Sequence, residues 1–476
     1  MYDNSAFEQM VSVGNPTGEV IGVERFLIKI KGLDGAPVGA LAMLQSGEHC
    51  VIREIRDGYV LALNLDTETT SIGTLVVLEE LELTTPVGEA MIGRVVDPLG
   101  RPIDGKGDLT LAETRHVFAE APGIHERSIL KEQLFSGVTM VDMLFPVVLG
   151  QRIAILGDTK SGKSSFLMQL GVNQTGSERI VVYVLIGKRR VEIDQTISQL
   201  NETGAMKNSI VVVANIFDSL AQSYIAPYVG CAIAEHLWYG GRDVVIIYDD
   251  LSSHAKIHRE VSLLAKVNPG RDSYPGDMFY SHSSLLERAG KLASNEKTLT
   301  ALPVVVTPGD DITAYLPTSI MSITDGQIIF DLATFRRNVR PAVRTGLSVS
   351  RVGGRAQTPS RKVLSTTLMQ RLAAYEQAQE FAHFGSDMSA ESKQTLELGK
   401  QIYEALHQAP TERLSITEQE IMLRAIVLGD GKRPLNIMQL KQQAHVVAET
   451  VQGDADIERL SQELLNSSVV EGVVAS

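Results

Sequence analysis

A glycine-rich octapeptide near the middle of the chain has the residue types and spacing of a phosphate-binding loop. It fits the pattern G-x-x-x-x-G-K-[ST], follows the apolar run IAILG (153–157) and opens the helix-like stretch SSFLMQL. In this strand–loop–helix context the glycines let backbone N–H groups point at phosphates, and the helix N-terminus adds partial positive charge. The predicted cofactor-binding residues, with the serine that follows the pattern, are Gly157, Asp158, Thr159, Lys160, Ser161, Gly162, Lys163, Ser164 and Ser165.

Three side chains are predicted to complete a site for ATP or ADP with Mg²⁺. Lys163 reaches the β- and γ-phosphates, and the Ser164 hydroxyl ligates the metal. The apolar strand VVIIYDD ends in acid at Asp249, whose carboxylate would hold Mg²⁺ through water. The alternative for this acid is a cap on the turn that follows the strand. Since successive strand residues point to opposite faces, Asp249 and Asp250 are not expected to form a glycosidase-like pair.

The elements around these residues change in character along the chain. Residues 1–86 contain short strands separated by Gly and Asp turns, which is typical of a small β-barrel. Residues 87–360 alternate continuous β-branched runs with helical stretches, which indicates a parallel α/β sheet. Residues 361–476 lose the strands and are predicted to form a helical domain. The predicted fold class is therefore multidomain α+β/α-β, with three domains at these boundaries.

Composition and charge exclude several classes of protein. The 476 residues are 44 % apolar and 21 % charged, as in ordinary globular chains, which excludes a disordered chain. The net charge of −13 divides into −8, 0 and −5 over the three predicted domains, and this balance argues against nucleic-acid binding. No run reaches the roughly 18 apolar residues that span a bilayer, so we expect any membrane association to be peripheral.

Eight further motifs, in order along the chain, carry a resemblance to a known family. The chain resembles the alpha, non-catalytic subunits of F-type ATP synthases from about Gly18 to about Leu428. The motifs are GRVVDPLGRPIDGKG (93–107), APGIHERSI (121–129), YDDLSSHA (248–255), NPGRDSYPGDMFYSHSSLLERAGKL (268–292), TALPVV (300–305), SITDGQIIF (322–330), RPAVRTGLSVSRVG (340–353) and FAHFGSDM (381–388).

The resemblance implies an N-terminal β-barrel, a central RecA-like P-loop domain and a C-terminal helical domain. It also implies beta-subunit partners in an alternating alpha3-beta3 hexamer around a central gamma-type shaft. Such a complex would lie peripherally at the cytoplasmic face of a bacterial-type inner membrane and drive ATP synthesis with a proton or sodium gradient. Stator docking through a delta-type subunit is left open, because only about seventeen residues precede Gly18.

The family comparison predicts that this chain binds nucleotide without efficient hydrolysis. Hydrolysis needs a carboxylate that orients water, and catalytic relatives place a Glu in a G-E-R motif after the strand that follows the loop. Here the matching position is Lys188, where alpha subunits normally carry Gln. Lys160 also replaces a family Gln, and both ammonium groups either face the phosphates or point to solvent.

Further site residues follow from the resemblance alone. Arg351 matches an arginine finger that is delivered to the γ-phosphate of the neighbouring beta subunit, and it is the one residue predicted to act in catalysis. Phe335, Arg340 and Pro341 match the adenine side of the nucleotide pocket. Gln408 matches one of two C-terminal glutamines there, while the other position is a proline.

Two other classes of protein have the same type of nucleotide-binding domain. A homohexameric export or secretion motor ATPase needs the catalytic Glu, so Lys188 argues against it. An RNA translocase is disfavoured by the acidic flanks and by the absence of aromatic residues that would stack on RNA.

Overall fold

The computed structural model describes residues 5–33, 35–66, 70–382 and 389–470, so most of the FAHFGSDM motif lies outside the described residues. The chain forms two units. The first unit comprises residues up to Ser128 together with Gln174–Val306 and Thr313–Ile323. The second unit comprises Ile129–Asn173, Thr307–Ile312 and the chain from Thr324 onward. The predicted boundaries at residues 86 and 360 stay predictions.

The described residues form the strands β1 to β19 and the helices α1 to α14. The strands are β1 (Thr17–Glu24), β2 (Leu27–Lys31), β3 (Leu41–Leu44), β4 (His49–Arg56), β5 (Tyr59–Asn64), β6 (Leu75–Glu80), β7 (Thr84–Val87), β8 (Val95–Val96), β9 (Glu113–His116), β10 (Gln133–Leu134), β11 (Val147–Val148), β12 (Ala154–Gly157), β13 (Ile180–Lys188), β14 (Ser209–Asn215), β15 (Val244–Asp249), β16 (Gly290–Lys291), β17 (Thr298–Val306), β18 (Gly326–Phe330) and β19 (Val349–Ser350). The helices are α1 (Ser5–Val13), α2 (Thr139–Leu144), α3 (Lys163–Asn173), α4 (Arg190–Glu202), α5 (Leu220–Tyr239), α6 (Leu251–Leu264), α7 (Met278–Glu287), α8 (Tyr315–Ile323), α9 (Leu332–Arg336), α10 (Pro359–Ala382), α11 (Ala390–Leu406), α12 (Ile416–Gly429), α13 (Ile437–Ala448) and α14 (Asp454–Ser468).

The first six strands close into an antiparallel barrel in the order β1-β2-β5-β4-β3-β6, as the sequence predicts. Alternating apolar residues fill its interior, among them Val20, Ile28 and Ile52. Closure pairs every strand on both sides and so removes the exposed edges of a small sheet. Helix α1 packs the buried ring of Phe7 against Met43 and Val77 on the barrel.

The first unit also holds a parallel sheet with the strand order β17-β15-β13-β14-β8. The strands β13, β14 and β15 are buried along nearly their whole length, which explains their continuous β-branched runs. Helix α5 is buried on almost all sides against this sheet. It approaches β13 so closely that a Cβ on Gly230 would lie 2.3 Å from Cγ2 of Val184. A glycine is therefore required at this crossing.

The second unit combines a short sheet with the C-terminal helices. Strand β12 pairs in parallel with β18, and β18 pairs antiparallel with β19. Helices α10 to α14 follow, which confirms the predicted C-terminal helical region. The capping box of Ser415 and Glu418 fixes the start of α12. No helix among the described residues is both long and apolar enough to cross a bilayer.

We predict that Gly230→Ala lowers the free energy of unfolding by about 1–3 kcal/mol, because the added methyl group overlaps Val184 in a packed core. Chemical denaturation followed by far-UV circular dichroism measures this change. The control is Gly276→Ala, since a Cβ at Gly276 meets no atom within 4 Å. Equal stability of the two variants would contradict the close approach of α5 to β13.

Candidate nucleotide-binding site

The glycine-rich loop lies between β12 and α3 of the second unit, as the sequence predicts. Gly157 has φ of 151°, and a Cβ there would lie only 2.5 Å from the carbonyl oxygen of Phe330 on the neighbouring strand. Gly162 has φ of 105°, a backbone conformation that side chains disfavour. The two glycines of the pattern therefore allow the tight path of the backbone at the start of α3.

The Lys163 side chain is buried and folds back over the loop. Its Nζ donates hydrogen bonds of 2.7 Å to the carbonyl oxygens of both Gly157 and Asp158. The Asp158 carboxylate in turn accepts from the backbone N–H groups of Thr159 at 2.6 Å and Gly309 at 2.8 Å. These bonds, led by the one from Thr159, hold the pKa of Asp158 below its usual value. Hydrogen bonds from Lys163 and to Asp158 therefore hold the backbone of the loop in place.

The remaining loop residues fit a phosphate group. The Ser161 hydroxyl is buried and has no hydrogen-bond partner among the described residues, so it is an unsatisfied polar atom inside the loop. Four side chains of the loop and of the first helical turn are exposed, and they are Thr159, Lys160, Ser164 and Ser165. The Ser164 hydroxyl is therefore accessible at the start of α3, as its predicted role as a Mg²⁺ ligand requires.

In the first unit, a cation and two acids meet at the carboxyl ends of two adjacent parallel strands. Strands β13 and β15 pair in parallel, with Leu185 beside Asp249. Nζ of Lys188 lies 2.7 Å from Oδ1 of Asp249 and 3.5 Å from Oδ2 of Asp250. Burial lowers the pKa of Lys188, but the charges of Asp249 and Asp250, with a smaller one from Glu192, outweigh burial and raise it overall. Lys188 is therefore a firmly charged ammonium.

This ion pair decides one of the two alternatives for Lys188. The largely buried ammonium is bonded to Asp249, so the alternative that it points to solvent is wrong, while the alternative that it faces phosphates stays a prediction. The prediction that the two acids form no glycosidase-like pair stays a prediction, but its premise that both belong to one strand does not hold, because β15 ends at Asp249 and Asp250 already caps α6. Oδ1 of Asp250 accepts from the N–H of Ser253 at 2.7 Å. The capping role considered for Asp249 belongs to its neighbour.

Arg351 lies directly after β19 in the second unit, and its side chain is exposed. One guanidinium nitrogen, Nη1, donates to the carbonyl oxygen of Thr324 at 3.1 Å, and the backbone N–H donates to Asp325 at 3.0 Å. Backbone carbonyl oxygens of residues 324 and 325 therefore hold both the guanidinium and the backbone N–H of this exposed residue.

The residues assigned to the adenine side cluster in the second unit. The Arg340 guanidinium stacks on the Phe335 ring, with Cζ 3.5 Å from the ring centroid, and Nη1 donates to the Phe335 carbonyl at 2.6 Å. Pro341 follows Arg340 in the chain, and the N–H of Gln408 donates to the Arg340 carbonyl oxygen at 2.9 Å. The structure thus brings all four residues together.

The buried side chain of Gln408 already makes four hydrogen bonds within the protein. Its Oε1 accepts from the N–H of Thr139 at 2.9 Å and from the Thr139 hydroxyl at 3.1 Å. Its Nε2 donates to the carbonyl oxygens of Gly137 at 2.6 Å and Glu412 at 2.8 Å. This uses both donors and both acceptor directions of the amide. Contact with adenine through Gln408 stays a prediction, while its bonds to residues 137–139 are observed.

A strand, a braced glycine-rich loop and a helix with an accessible first turn, in a chain that also carries a parallel α/β sheet, define a P-loop nucleotide-binding protein. Comparison with known proteins makes the assignment specific. Residues 137–350 match the family model for the "ATP synthase alpha/beta family, nucleotide-binding domain", and residues 357–466 match the "ATP synthase alpha/beta chain, C terminal domain".

Curated relatives agree with both matches. The chain is 41 % identical over 422 residues to ATP synthase subunit alpha of Clostridium kluyveri, covering 86 % of this chain and 82 % of that protein. It is 40 % identical over 426 residues to ATP synthase subunit alpha of Clostridium botulinum, covering 85 % and 84 %. The chain therefore belongs to the ATP synthase alpha-subunit family, and the resemblance seen in the sequence motifs is confirmed.

We predict that Gln408→Ala lowers the free energy of unfolding by about 1–3 kcal/mol, because buried backbone groups at residues 137 and 139 lose their partner. Urea denaturation monitors the change. Gln442→Ala is the control, since Gln442 is exposed on α13 and its loss should stay within about 0.5 kcal/mol. If Gln408→Ala is as stable as the control, the hydrogen bonds of Gln408 to residues 137 and 139 do not stabilise the fold.

Proposed function

We propose that this chain is the nucleotide-binding, non-hydrolytic alpha subunit of a rotary F-type ATP synthase. On this proposal it binds Mg-ATP through its glycine-rich loop and lends Arg351 to the catalytic site of the adjacent beta subunit. Membership of the alpha-subunit family supports the role in ATP synthase. The observation that carries the non-hydrolytic assignment is the ion pair of Lys188 with Asp249.

An ammonium held by carboxylates cannot orient and deprotonate an attacking water. Lys188 occupies the position where catalytic relatives carry a glutamate, and its charge is engaged by Asp249 at 2.7 Å. The nearest acid along the chain, Glu192, is no substitute, because its carboxylate accepts from the N–H of Arg189 and caps α4. ATP bound at this loop would therefore stay intact, and the site would serve binding and assembly.

In the proposed binding role, positive charge at the loop compensates the negative charge of the nucleotide. The Lys163 ammonium lies over the loop carbonyls, from which it can turn towards β- and γ-phosphate oxygens. The Ser164 hydroxyl would ligate Mg²⁺, which supplies charge neutralisation when bound, and Asp249 as a second, water-mediated ligand stays a prediction from the sequence. Phe335 and Arg340 form a stacked pair that would provide the wall for adenine.

Arg351 is proposed to act on a neighbouring subunit rather than on its own nucleotide. Arg351 is exposed, which suits a group that reaches across an interface, and Nη1 of its guanidinium donates to the carbonyl oxygen of Thr324. A guanidinium is always charged and planar, so it complements the charge that spreads over the transferred phosphoryl group.

The proposed assembly follows from the same family. Alpha and beta chains would alternate in an alpha3-beta3 hexamer around a gamma-type shaft, attached peripherally at the cytoplasmic face of the membrane. Mixing this chain with its beta partner and sizing the product by gel filtration tests this arrangement. A hexamer is expected only in the mixture, whereas a homohexameric motor would assemble from this chain alone.

We predict that the isolated chain binds ATP but does not turn it over, and that Lys163→Ala abolishes binding because the phosphates lose their buried cation. Equilibrium binding of a fluorescent ATP analogue and a phosphate-release assay measure the two properties. Robust ATP hydrolysis by the isolated wild-type chain would contradict the non-hydrolytic assignment.

We predict that Arg351→Ala in the assembled complex leaves the hexamer intact but reduces steady-state ATP turnover by about 10³–10⁵, the usual contribution of an arginine finger. The control is Arg355→Ala, which removes another exposed guanidinium four residues away. Turnover at the wild-type level in the Arg351 variant would show that this residue is not the finger.

A further inference from the structure

Three buried histidines lie together between α5, α6 and α7 of the first unit. His254 and His258 of α6 are 0 % exposed, and His282 of α7 is 1 % exposed. The centroid of the His254 ring lies 5.3 Å from that of His282 and 6.4 Å from that of His258. The rings of Tyr224 and Tyr228 on α5 pack against His254, with centroids at 5.5 and 5.8 Å. None of these residues belongs to the predicted nucleotide site.

The hydrogen bonds of His254 and His282 determine which ring nitrogens carry a hydrogen. Nε2 of His254 lies 3.0 Å from the carbonyl oxygen of Tyr224, which can only accept, so this nitrogen is the donor. In a neutral ring Nδ1 of His254 is then the acceptor, and Nε2 of His282 donates to it at 3.1 Å. Nδ1 of His282 has no hydrogen-bond partner among the described residues. This chain of bonds therefore requires both rings to be neutral.

The structure offers no acceptor for an additional proton on either ring. On His254 the proton would go to Nδ1, where it would point at the N–H of His282 and break their bond. On His282 it would go to Nδ1 and create a buried donor without an acceptor among the described residues. Burial, with the nearby rings of His282 and His258, holds the pKa of His254 well below its usual value. Burial, with a smaller effect of His258, lowers the pKa of His282 to about 3.

The third histidine connects this pair to the barrel and to the charged groups that face the cluster. Nε2 of His258 lies 3.1 Å from Nη2 of Arg53 on β4 and 3.4 Å from Oδ1 of Asp277, which directly precedes α7. Arg53 also donates to Oδ2 of Asp277 at 3.0 Å, so this acid and this base compensate each other. The hydrogen bonds of His254 and His282 among the described residues include no carboxylate that would stabilise a charged ring.

We propose that His254 and His282 form an acid-sensitive latch within the first unit, which joins α6 and α7 to α5 while both rings are neutral and is broken when either ring takes up a proton. In the unfolded chain a histidine has a pKa of about 6.5, so the unfolded state binds protons that the folded cluster excludes. The stabilisation is therefore complete above about pH 6.5 and is lost progressively as the pH falls below it. This property does not depend on nucleotide binding.

Urea unfolding of the full-length chain between about pH 7.5 and pH 5 tests the latch. The fluorescence of Trp238 reports the first unit, since it is the only tryptophan of the chain and is buried on α5. Between about pH 6 and pH 5 each of the two histidines should lower the folding equilibrium constant by up to about tenfold. The loss in His282→Gln should be smaller by up to about tenfold than in the wild type, because glutamine can donate to His254 but takes up no proton.

The matched control is His125→Gln, which removes an exposed histidine of the same unit without touching the cluster. Its loss of stability between about pH 6 and pH 5 should equal that of the wild type. The same loss in His282→Gln as in the control would overturn the latch.

A measurement on the wild-type chain keeps the test valid if His282→Gln does not fold. The chain has 10 histidines, and their ring carbon signals in nuclear magnetic resonance report protonation one by one. Two rings should keep the chemical shifts of neutral imidazole down to about pH 5 while the chain is folded. If all ring signals of the folded chain titrate near pH 6.5, about the value of a free histidine, the latch is overturned.

Discussion

Parallel strands end at one edge of their sheet, and this constraint governs the chemistry of the first unit. Strands β13 and β15 are neighbours, so whatever follows their last residues must share a small volume. Lys188 is the last residue of β13, Asp249 is the last residue of β15 and Asp250 follows it, and the ammonium lies 2.7 and 3.5 Å from the two carboxylates. An uncompensated acid pair in this shielded position would carry a large desolvation and repulsion cost.

The strand ends that carry Lys188 and Asp249 are held in place because the strands of this sheet and helix α5 are closely packed. Strand β13 is buried from Ile180 to Ile186, and α5 lies close enough to it to require glycine at Gly230. Interiors of this density transmit displacement rather than absorb it. The position of the ammonium is thus determined by backbone packing, and its chemistry by the acids of β15 and α6.

The glycine-rich loop of the second unit is governed by the backbone in a different way. Its glycines allow a path that side chains would block, and Lys163 and Asp158 brace it with hydrogen bonds to backbone groups. In the proposed function the loop would hold phosphate, Lys188 would compensate the charge of Asp249, and the exposed Arg351 would serve another subunit.

The sequence by itself determined the phosphate loop, the barrel, the buried strands and the family. Each of these depends on local spacing or on ordered motifs, and the structure and the comparisons confirm the fold class and the family. Only the tertiary structure decided the partner of Lys188, which is 61 residues away from Asp249 in the chain. It also showed that the Gln408 amide forms hydrogen bonds with Thr139 and Gly137, which are 269 and 271 residues away. Such contacts depend on strand order and on the packing of distant segments, and these are set by the folded chain as a whole.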